Sequence, residues 1–239
     1  RHGLARVLSK RGICSRSEAE RFVREGKVRL DGRTVFDPRH PTDLARSRIE
    51  VDGIPDVAPA RRYVMLNKPR GLVTTLRDER GRDTVYRCLH GIGPGHIAPV
   101  GRLDKASEGL LLFTNDPGWA ARVADPATGP DKTYHVQVDC LPDQARLAML
   151  REGVVEAGTL LRAKSLSLLR VGGKYAWLEV VLDEGRNRQI RRLLAAFDIG
   201  VLRLVRVAIG GLRLGDLAKG TWRELHPAEV AALARAPTE

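Results

Sequence analysis

The segment GRLDKASEGLLLFTND, residues 101–116, constrains the fold of this chain more than any other stretch. It contains the unbroken apolar run Leu110–Phe113, which predicts a strand buried on both faces. Glycines punctuate the polar residues before that strand and indicate a bend. A carboxylate at the bend, Asp104, would be fixed by the strand and exposed by the loop, as a reactive group requires. Taken alone, the same pattern also describes an ordinary surface turn that enters a core strand.

The chain carries a large excess of positive charge. Its 239 residues include 41 Lys and Arg against 29 Asp and Glu, a formal net charge of +12. The first 50 residues hold 13 basic and 7 acidic side chains, so half of the excess lies in about a fifth of the chain. This distribution favours a polyanionic partner, and the many arginines favour bidentate contacts with phosphate. No basic amphipathic helix is long enough to predict binding to a membrane surface.

Cysteine and histidine usage excludes two other classes of protein. Cys14, Cys88 and Cys140 are odd in number and far apart, which argues for the reducing cytoplasm and against a disulfide framework or a zinc finger. The six histidines are scattered, and His90 and His96 are too loosely spaced for a metal pair. We therefore expect no metal site and a cytoplasmic location.

The N-terminal 53 residues predict a small module of two helices and a short sheet. A helix over the first residues ends at Gly12, and Ser15 with Glu18 forms a capping box for a second helix. Asp31-Gly32 is the strongest hairpin signal in the chain, and Ile49–Val51 is a further short strand. The outward positions of the two helices carry basic residues, which are the candidate RNA contacts: Arg6, Lys10, Arg11, Arg16, Arg21 and Arg24.

Residues 54–62, IPDVAPARR, have no periodic pattern and predict a semi-rigid linker. Beyond them, over residues 63–232, strands alternate with a few short helices. Neighbouring strands with few parallel crossovers predict an α+β domain on a mixed, mostly antiparallel sheet with a central cleft. The predicted strands are YVMLNKP, GLVTT, KTYHVQVD, LLRAKSLSLLR, YAWLEVVLDEG, VLRLVRV and TWREL, and the predicted helices are residues 119–124, PDQARLAML and NRQIRRLLAAF.

Taken together, several motifs in this order resemble one enzyme family. They are NKPRG (67–71), GRLD (101–104), SEGLLLFTND (107–116), KTY (132–134) and EGRNRQIRR (184–192). The chain resembles RNA pseudouridine synthases of the RsuA/RluB/RluE/RluF group. It also resembles them in its N-terminal module, which is of the kind shared with a small-subunit ribosomal protein and tyrosyl-tRNA synthetases.

The resemblance implies a role for each candidate residue. Asp104 would attack the sugar or abstract a proton beside it, with Arg191 as the cation that keeps the carboxylate ionised. Tyr134 would stack on the uracil and move a proton from the ring carbon that forms the new bond, with help from Lys132. Arg102 would hold the extruded nucleotide or a phosphate. The further residues that we expect to bind the substrate are Lys68, Arg186, Arg188 and Gln189.

The reaction implied by the resemblance needs no cofactor. We expect structured ribosomal RNA or a pre-ribosomal particle as the substrate, with a slight preference for the large subunit, and a monomeric enzyme. Two rival functions remain open at this point. One is a catalytically silent RNA-binding factor in ribosome assembly. The other is a glycosidic hydrolase, which would require two carboxylates around the scissile bond.

Overall fold

The computed structural model describes residues 2–54, 60–76, 78, 80–93 and 96–235. The chain forms two compact units. The first contains Arg1–Tyr63, Gly91–Ala98 and Phe113–Ala121, and the second contains Val64–His90, Pro99–Leu112 and Arg122–Glu239. Residues 55–59, which make up most of the predicted linker, lie outside the described residues.

The N-terminal part of the first unit has the predicted helix pair and short strands. Its elements are β1 (His2–Gly3), α1 (Leu4–Lys10), α2 (Arg16–Arg24), β2 (Val28–Leu30), β3 (Arg33–Thr34), β4 (Pro41–Thr42) and β5 (Ile49–Val51). The predicted capping box is confirmed, because Ser15 Oγ accepts from the Glu18 amide at 3.2 Å while Glu18 accepts from the Ser15 amide at 3.0 Å.

The predicted hairpin turn is also confirmed. Asp31 and Gly32 have φ of 49° and 81°, the left-handed conformation that a two-residue hairpin turn requires. The apolar sides of α1 and α2 pack against β2 and β5 and form the core of this part, which includes Leu4, Val7, Leu8, Ala19, Val23, Val28 and Ile49.

The remaining elements build one large sheet, a separate two-stranded sheet formed by Val154–Glu156 and Thr159–Leu161, and a few helices. In chain order they are β6 (Tyr63–Lys68), a 3-10 helix (Val85–Cys88), β7 (Ala98–Val100), β8 (Glu108–Thr114), α3 (Pro117–Ala124), β9 (Lys132–Val138), α4 (Gln144–Glu152), β10 (Val154–Glu156), β11 (Thr159–Leu161), β12 (Ser165–Gly172), β13 (Tyr175–Leu182), α5 (Gln189–Ala195), β14 (Val201–Ile209), β15 (Leu212–Arg213), β16 (Trp222–Glu224) and α6 (Pro227–Ala234).

Strands of this sheet follow the order β12-β13-β9-β14-β8-β6-β16, with β7 beside β8 and β15 beside β14. The pairs around β9, β13 and β16 are antiparallel, whereas β14 runs parallel to β8. Every residue of β8 is buried, as its apolar run predicts. The α+β class with a mixed sheet is therefore confirmed.

Two predicted strands differ in the structure. GLVTT, residues 71–75, forms no strand, because Val73 makes only an isolated bridge with Thr84. The run LLRAKSLSLLR is divided between β11 and β12, since the chain leaves one pairing and joins another at residues 162–164. In the described ranges, no helix is long and apolar enough to cross a membrane.

Candidate active site

A cavity of about 320 Å³ lies in the second unit, between the loop after β7, the strands β9 and β14, and the start of α5. Three of the motifs found in the sequence contribute residues to its lining: GRLD, KTY and EGRNRQIRR. All the predicted catalytic and substrate-binding residues except Lys68 line it, namely Arg102, Asp104, Lys132, Tyr134, Arg186, Arg188, Gln189 and Arg191.

Asp104 lies in the loop that enters β8, with its side chain about 40% exposed. The loop is a tight turn, in which the Ser107 amide donates to the Asp104 carbonyl oxygen at 2.9 Å. Among the lining residues, Asp104 is the one carboxylate, and the other charged groups are all cations. This composition does not fit a hydrolase with two flanking carboxylates.

Lys68 supports this turn from below and is the main correction to the predicted site. Its side chain is fully buried at the end of β6 and does not line the cavity. The Nζ group donates to the carbonyl oxygens of Ser107 at 2.8 Å, Pro69 at 3.1 Å and Asp104 at 3.2 Å. With its three donors taken by the backbone, Lys68 holds the Asp104 loop and has no donor left for a substrate. Burial lowers the pKa of Lys68 to about 8, against the opposing effect of Glu108 and Asp104.

The cation nearest to Asp104 is Arg188, not the expected Arg191. Arg188 Nη1 lies 3.4 Å from Asp104 Oδ2, and both side chains are substantially exposed. Arg188 adopts the left-handed conformation, with φ of 49°, directly before α5. This is an uncommon backbone for a residue other than glycine, and such strain is concentrated at functional sites.

Arg191 lies one turn further along and faces the same loop. Its Nη2 donates to the Ala106 carbonyl oxygen at 3.2 Å and its Nη1 to that of Val201 at 3.5 Å. Burial lowers the pKa of Arg191, repulsion from Arg188 adds to this, and attraction to Asp104 opposes it. Arg191 therefore fixes the backbone beside Asp104 and adds to the positive field around its carboxylate.

Tyr134 and Lys132 lie on β9 two residues apart, so their side chains share the face that lines the cavity. Tyr134 is 9% exposed, which leaves mainly its cavity side open. The pKa of Lys132 is lowered by burial first and then by the positive charge of Arg206. A lysine with a lowered pKa, on the same strand face as a phenol, accepts a proton more readily from a substrate carbon than an ordinary surface lysine, which is fully charged and hydrated.

The other residues predicted to bind the substrate differ in how many hydrogen bonds they already make within the protein. Arg102 and Arg186 are exposed at the cavity, although Arg186 Nε also donates to Glu184 at 2.7 Å. Gln189 is buried, and its Nε2 donates to the Arg162 carbonyl oxygen at 2.9 Å and to Glu184 at 2.7 Å. Its Oε1 accepts from the Arg186 amide, so Gln189 shapes the loop and has no free N–H for a substrate.

One lining residue was missed by the sequence analysis. Arg206 on β14 is only 5% exposed and lines the cavity near Tyr134. A signal for it was present in VLRLVRVAI, because Arg206 lies two residues after the buried Leu204, on the same face of the strand. A charged side chain on the buried face of a strand is rare and points to a specific partner.

In the first unit, most of the predicted RNA contacts face solvent. Arg6, Arg16, Arg21 and Arg24 are exposed, and Lys10 lies 3.1 Å from His2. Arg11 differs, because its guanidinium donates to the carbonyl oxygens of Leu44 and Ser47 at 2.7–3.1 Å. Arg11 thus ties α1 to the loop before β5, and we remove it from the candidate RNA contacts.

Comparison with known proteins finds two family matches in this chain. The RNA pseudouridylate synthase family matches residues 62–196, and the S4 domain family matches residues 3–42. An RNA pseudouridine synthase of Aquifex aeolicus, described as uncharacterized, is 37% identical over 97% of this chain and 93% of its own length. The ribosomal large subunit pseudouridine synthase B of Bacillus subtilis is 36% identical over 96% of this chain and 94% of its own length.

Among solved structures, a crystal structure of a pseudouridylate synthase superposes with a TM-score of 0.68 at 26% identity. It covers 98% of this chain and 100% of its own. The two family matches, the relatives that align over nearly their whole length and the shared fold all point to one family. The chain therefore belongs to the RNA pseudouridylate synthase family and carries an S4 domain at its N-terminus.

Proposed function

We propose that this enzyme converts a specific uridine of ribosomal RNA to pseudouridine, with Asp104 as the nucleophile and without a cofactor. The observation that carries the proposal is the placement of one carboxylate, Asp104, in a cavity with Tyr134, in which every other charged lining side chain is a cation. A polyanionic nucleotide is attracted to such a cavity, and a single carboxylate suits a covalent mechanism rather than hydrolysis between two acids.

The proposed reaction uses the groups of the cavity in sequence. The target uridine leaves its stack and enters with its base against Tyr134. Asp104 attacks C1′ directly, or abstracts a proton beside it, and the glycosidic bond to N1 breaks. The freed uracil turns and C5 bonds to C1′, while the Asp104 carboxylate leaves C1′ or, in the second case, returns the proton that it took. The proton on C5 then leaves through Tyr134 or Lys132, and N1 takes up a proton. Arg188 and Arg191 place positive charge beside the Asp104 carboxylate, which would hold it in position for the attack.

We propose large-subunit ribosomal RNA as the substrate, because the Bacillus relative carries that specificity in its name. We further propose a monomeric enzyme, and ribosomal RNA as a substrate supports action in the cytoplasm. Residues 1–53 are proposed as the RNA-binding module, 54–62 as a linker and 63–232 as the catalytic domain. The match of the S4 family to residues 3–42 supports the first of these assignments.

Pseudouridine mapping tests the proposal directly. Ribosomal RNA from cells with and without this gene is reacted with a carbodiimide that marks pseudouridine, and stops of reverse transcription are compared. We expect one position, or a small number, in large-subunit RNA to lose its mark and to regain it when the gene is restored. An unchanged map of both ribosomal RNAs would contradict the proposal.

The two arginines near Asp104 should differ in importance. We expect Arg191→Met to slow a single turnover by about 100-fold or more, because it removes a partly buried cation that also holds the Ala106 carbonyl oxygen. Arg188→Met should cost about tenfold or less, because exposed ion pairs contribute little. Tritium release from ribosomal RNA labelled at C5 of uracil measures both. The reverse order would identify Arg188 as the functional partner of Asp104.

The basic helices of the first unit should set the salt dependence of RNA binding. We expect the triple variant Arg6→Gln, Arg21→Gln, Arg24→Gln to bind ribosomal RNA more weakly, with a slope of log affinity against log salt shallower by about 2–3 units. Turnover at saturating RNA should change little. The matched control replaces three exposed arginines elsewhere, Arg146, Arg213 and Arg235, with glutamine. Equal slopes in the two triple variants would show that the helices do not contact the RNA backbone.

A further inference from the structure

Arg206 is a buried cation with a donor that the protein does not satisfy. Its Nε donates to the Leu110 carbonyl oxygen at 2.7 Å, which fixes the plane of the guanidinium. Its Nη2 is buried and has no hydrogen-bond partner among the described residues. The Glu108 carboxylate on β8 is paired instead with Arg203 and Lys219. The other buried side-chain nitrogen without a partner in the part of the chain that the structure describes, Arg191 Nε, belongs to a residue of the same cavity wall.

An unsatisfied donor on a buried cation destabilises the folded protein, so its persistence indicates a partner that comes with the substrate. The surrounding backbone is built to hold Arg206 in place. Gly109 of the SEGLLL motif pairs with Arg206 in register, and a Cβ there would lie 2.3 Å from the Arg206 carbonyl oxygen. The close approach of β8 to β14 at this point therefore depends on glycine.

The position of Arg206 indicates which part of a nucleotide it meets. Arg206 and Tyr134 are opposite each other on the neighbouring strands β14 and β9, so their side chains share one face of the sheet. The arginines suited to phosphate, Arg102, Arg186 and Arg188, are exposed at the cavity, whereas Arg206 is buried in its wall. The phosphodiester chain of a bound RNA would meet these exposed arginines first, which leaves the buried donor in the wall for the base.

We propose that Arg206 Nη2 donates a hydrogen bond to a ring carbonyl oxygen of the extruded uracil and stabilises the anion formed when the glycosidic bond breaks. When Asp104 attacks C1′, the electron pair of the C1′–N1 bond passes to the uracil ring and spreads onto its carbonyl oxygens. A fixed cation beside one of those oxygens stabilises this charge in a water-poor site. When C5 bonds to C1′, the Asp104 carboxylate leaves, the C5 proton is removed and N1 takes up a proton, so Arg206 itself neither gains nor loses one.

This assignment rests on the proposed function, and Arg206→Met tests it. We expect a single turnover, followed by tritium release from C5-labelled ribosomal RNA transcripts, to slow by about 100-fold or more. RNA affinity should change by less than about threefold, because no phosphate contact is lost. The midpoint of thermal unfolding should stay the same or rise, since a buried unpaired cation has been replaced by an apolar chain of similar length.

Two further variants serve as controls. Arg206→Lys should recover part of the rate, and Arg213→Met, on the neighbouring strand β15, should behave like the wild type.

Sulfur substitution in the RNA separates substrate contact from a structural role. Transcripts containing 2-thiouridine or 4-thiouridine replace one ring oxygen with a weaker acceptor. The wild type should be slowed several-fold by one of the two, and Arg206→Met should be slowed by neither relative to its own rate on uridine. A variant that loses rate and unfolding midpoint together, or one with the same thio effect as the wild type, would overturn the assignment. A wild type that releases no tritium from any ribosomal RNA would instead overturn the proposed function.

Discussion

Asp104→Asn is expected to abolish pseudouridine formation and to leave RNA affinity within about threefold of the wild type. Asparagine has almost the same shape as aspartate but provides neither a nucleophile nor a base, so the rate should fall by at least about 10⁴-fold. The loop itself should persist, because Lys68 and the Ser107 amide bind the carbonyl oxygen of residue 104 rather than its side chain.

Tritium release from C5-labelled RNA measures the rate of the Asp104 variant, and filter binding measures its affinity. Asp131→Asn is the matched control, because Asp131 is a partly exposed carboxylate in the same unit that pairs with Lys164 and does not line the cavity. Substantial turnover by Asp104→Asn, with Asp131→Asn unaffected, would mean that another group starts the reaction.

Local signals predicted much of the secondary structure because each acts within a few residues. The Ser15 capping box and the Asp31-Gly32 turn need only their own neighbours, and both are present as expected. GLVTT failed as a strand because β propensity depends on a partner strand, and Val73 finds only a single bridge. The division of LLRAKSLSLLR into β11 and β12 could not be predicted for the same reason. It arises because β11 pairs with β10 and β12 pairs with β13.

The candidate site could be assembled from motifs because the polar loops are conspicuous against apolar strands. What the sequence could not show was the burial of individual polar side chains. Lys68 is the last residue of the buried strand β6, and its ammonium group donates to backbone carbonyl oxygens inside the protein. Lysine side chains are ordinarily exposed, so this burial was not predicted. Arg206 was missed for the converse reason, because the depth of its position on β14 is decided by tertiary packing against β8 and β9.

Among glycine-to-alanine substitutions near Arg206, Gly109→Ala is expected to cause the largest loss of stability. Gly109 has a φ of +100°, which strains any other residue, and the new Cβ would overlap the backbone of Arg206, with contacts of 2.3 Å to its carbonyl oxygen and 2.9 Å to its amide nitrogen. Neither atom is the end of a flexible side chain, so the strands β8 and β14 must separate. We expect the free energy of unfolding to fall by at least about 3 kcal/mol.

Gly158→Ala is the matched control for this effect. Gly158 also has a positive φ, +74°, but nothing lies within 4 Å of its added Cβ, so it isolates the conformational strain at about 1–2 kcal/mol. Urea unfolding followed by circular dichroism compares the two variants with the wild type. Because separation of β8 from β14 also displaces Arg206, Gly109→Ala should lose activity even where it remains folded, and Gly158→Ala should keep it. Equal stability of the two variants would show that the strands have room at residue 109, and that the glycine of the SEGLLL motif does not set the position of Arg206.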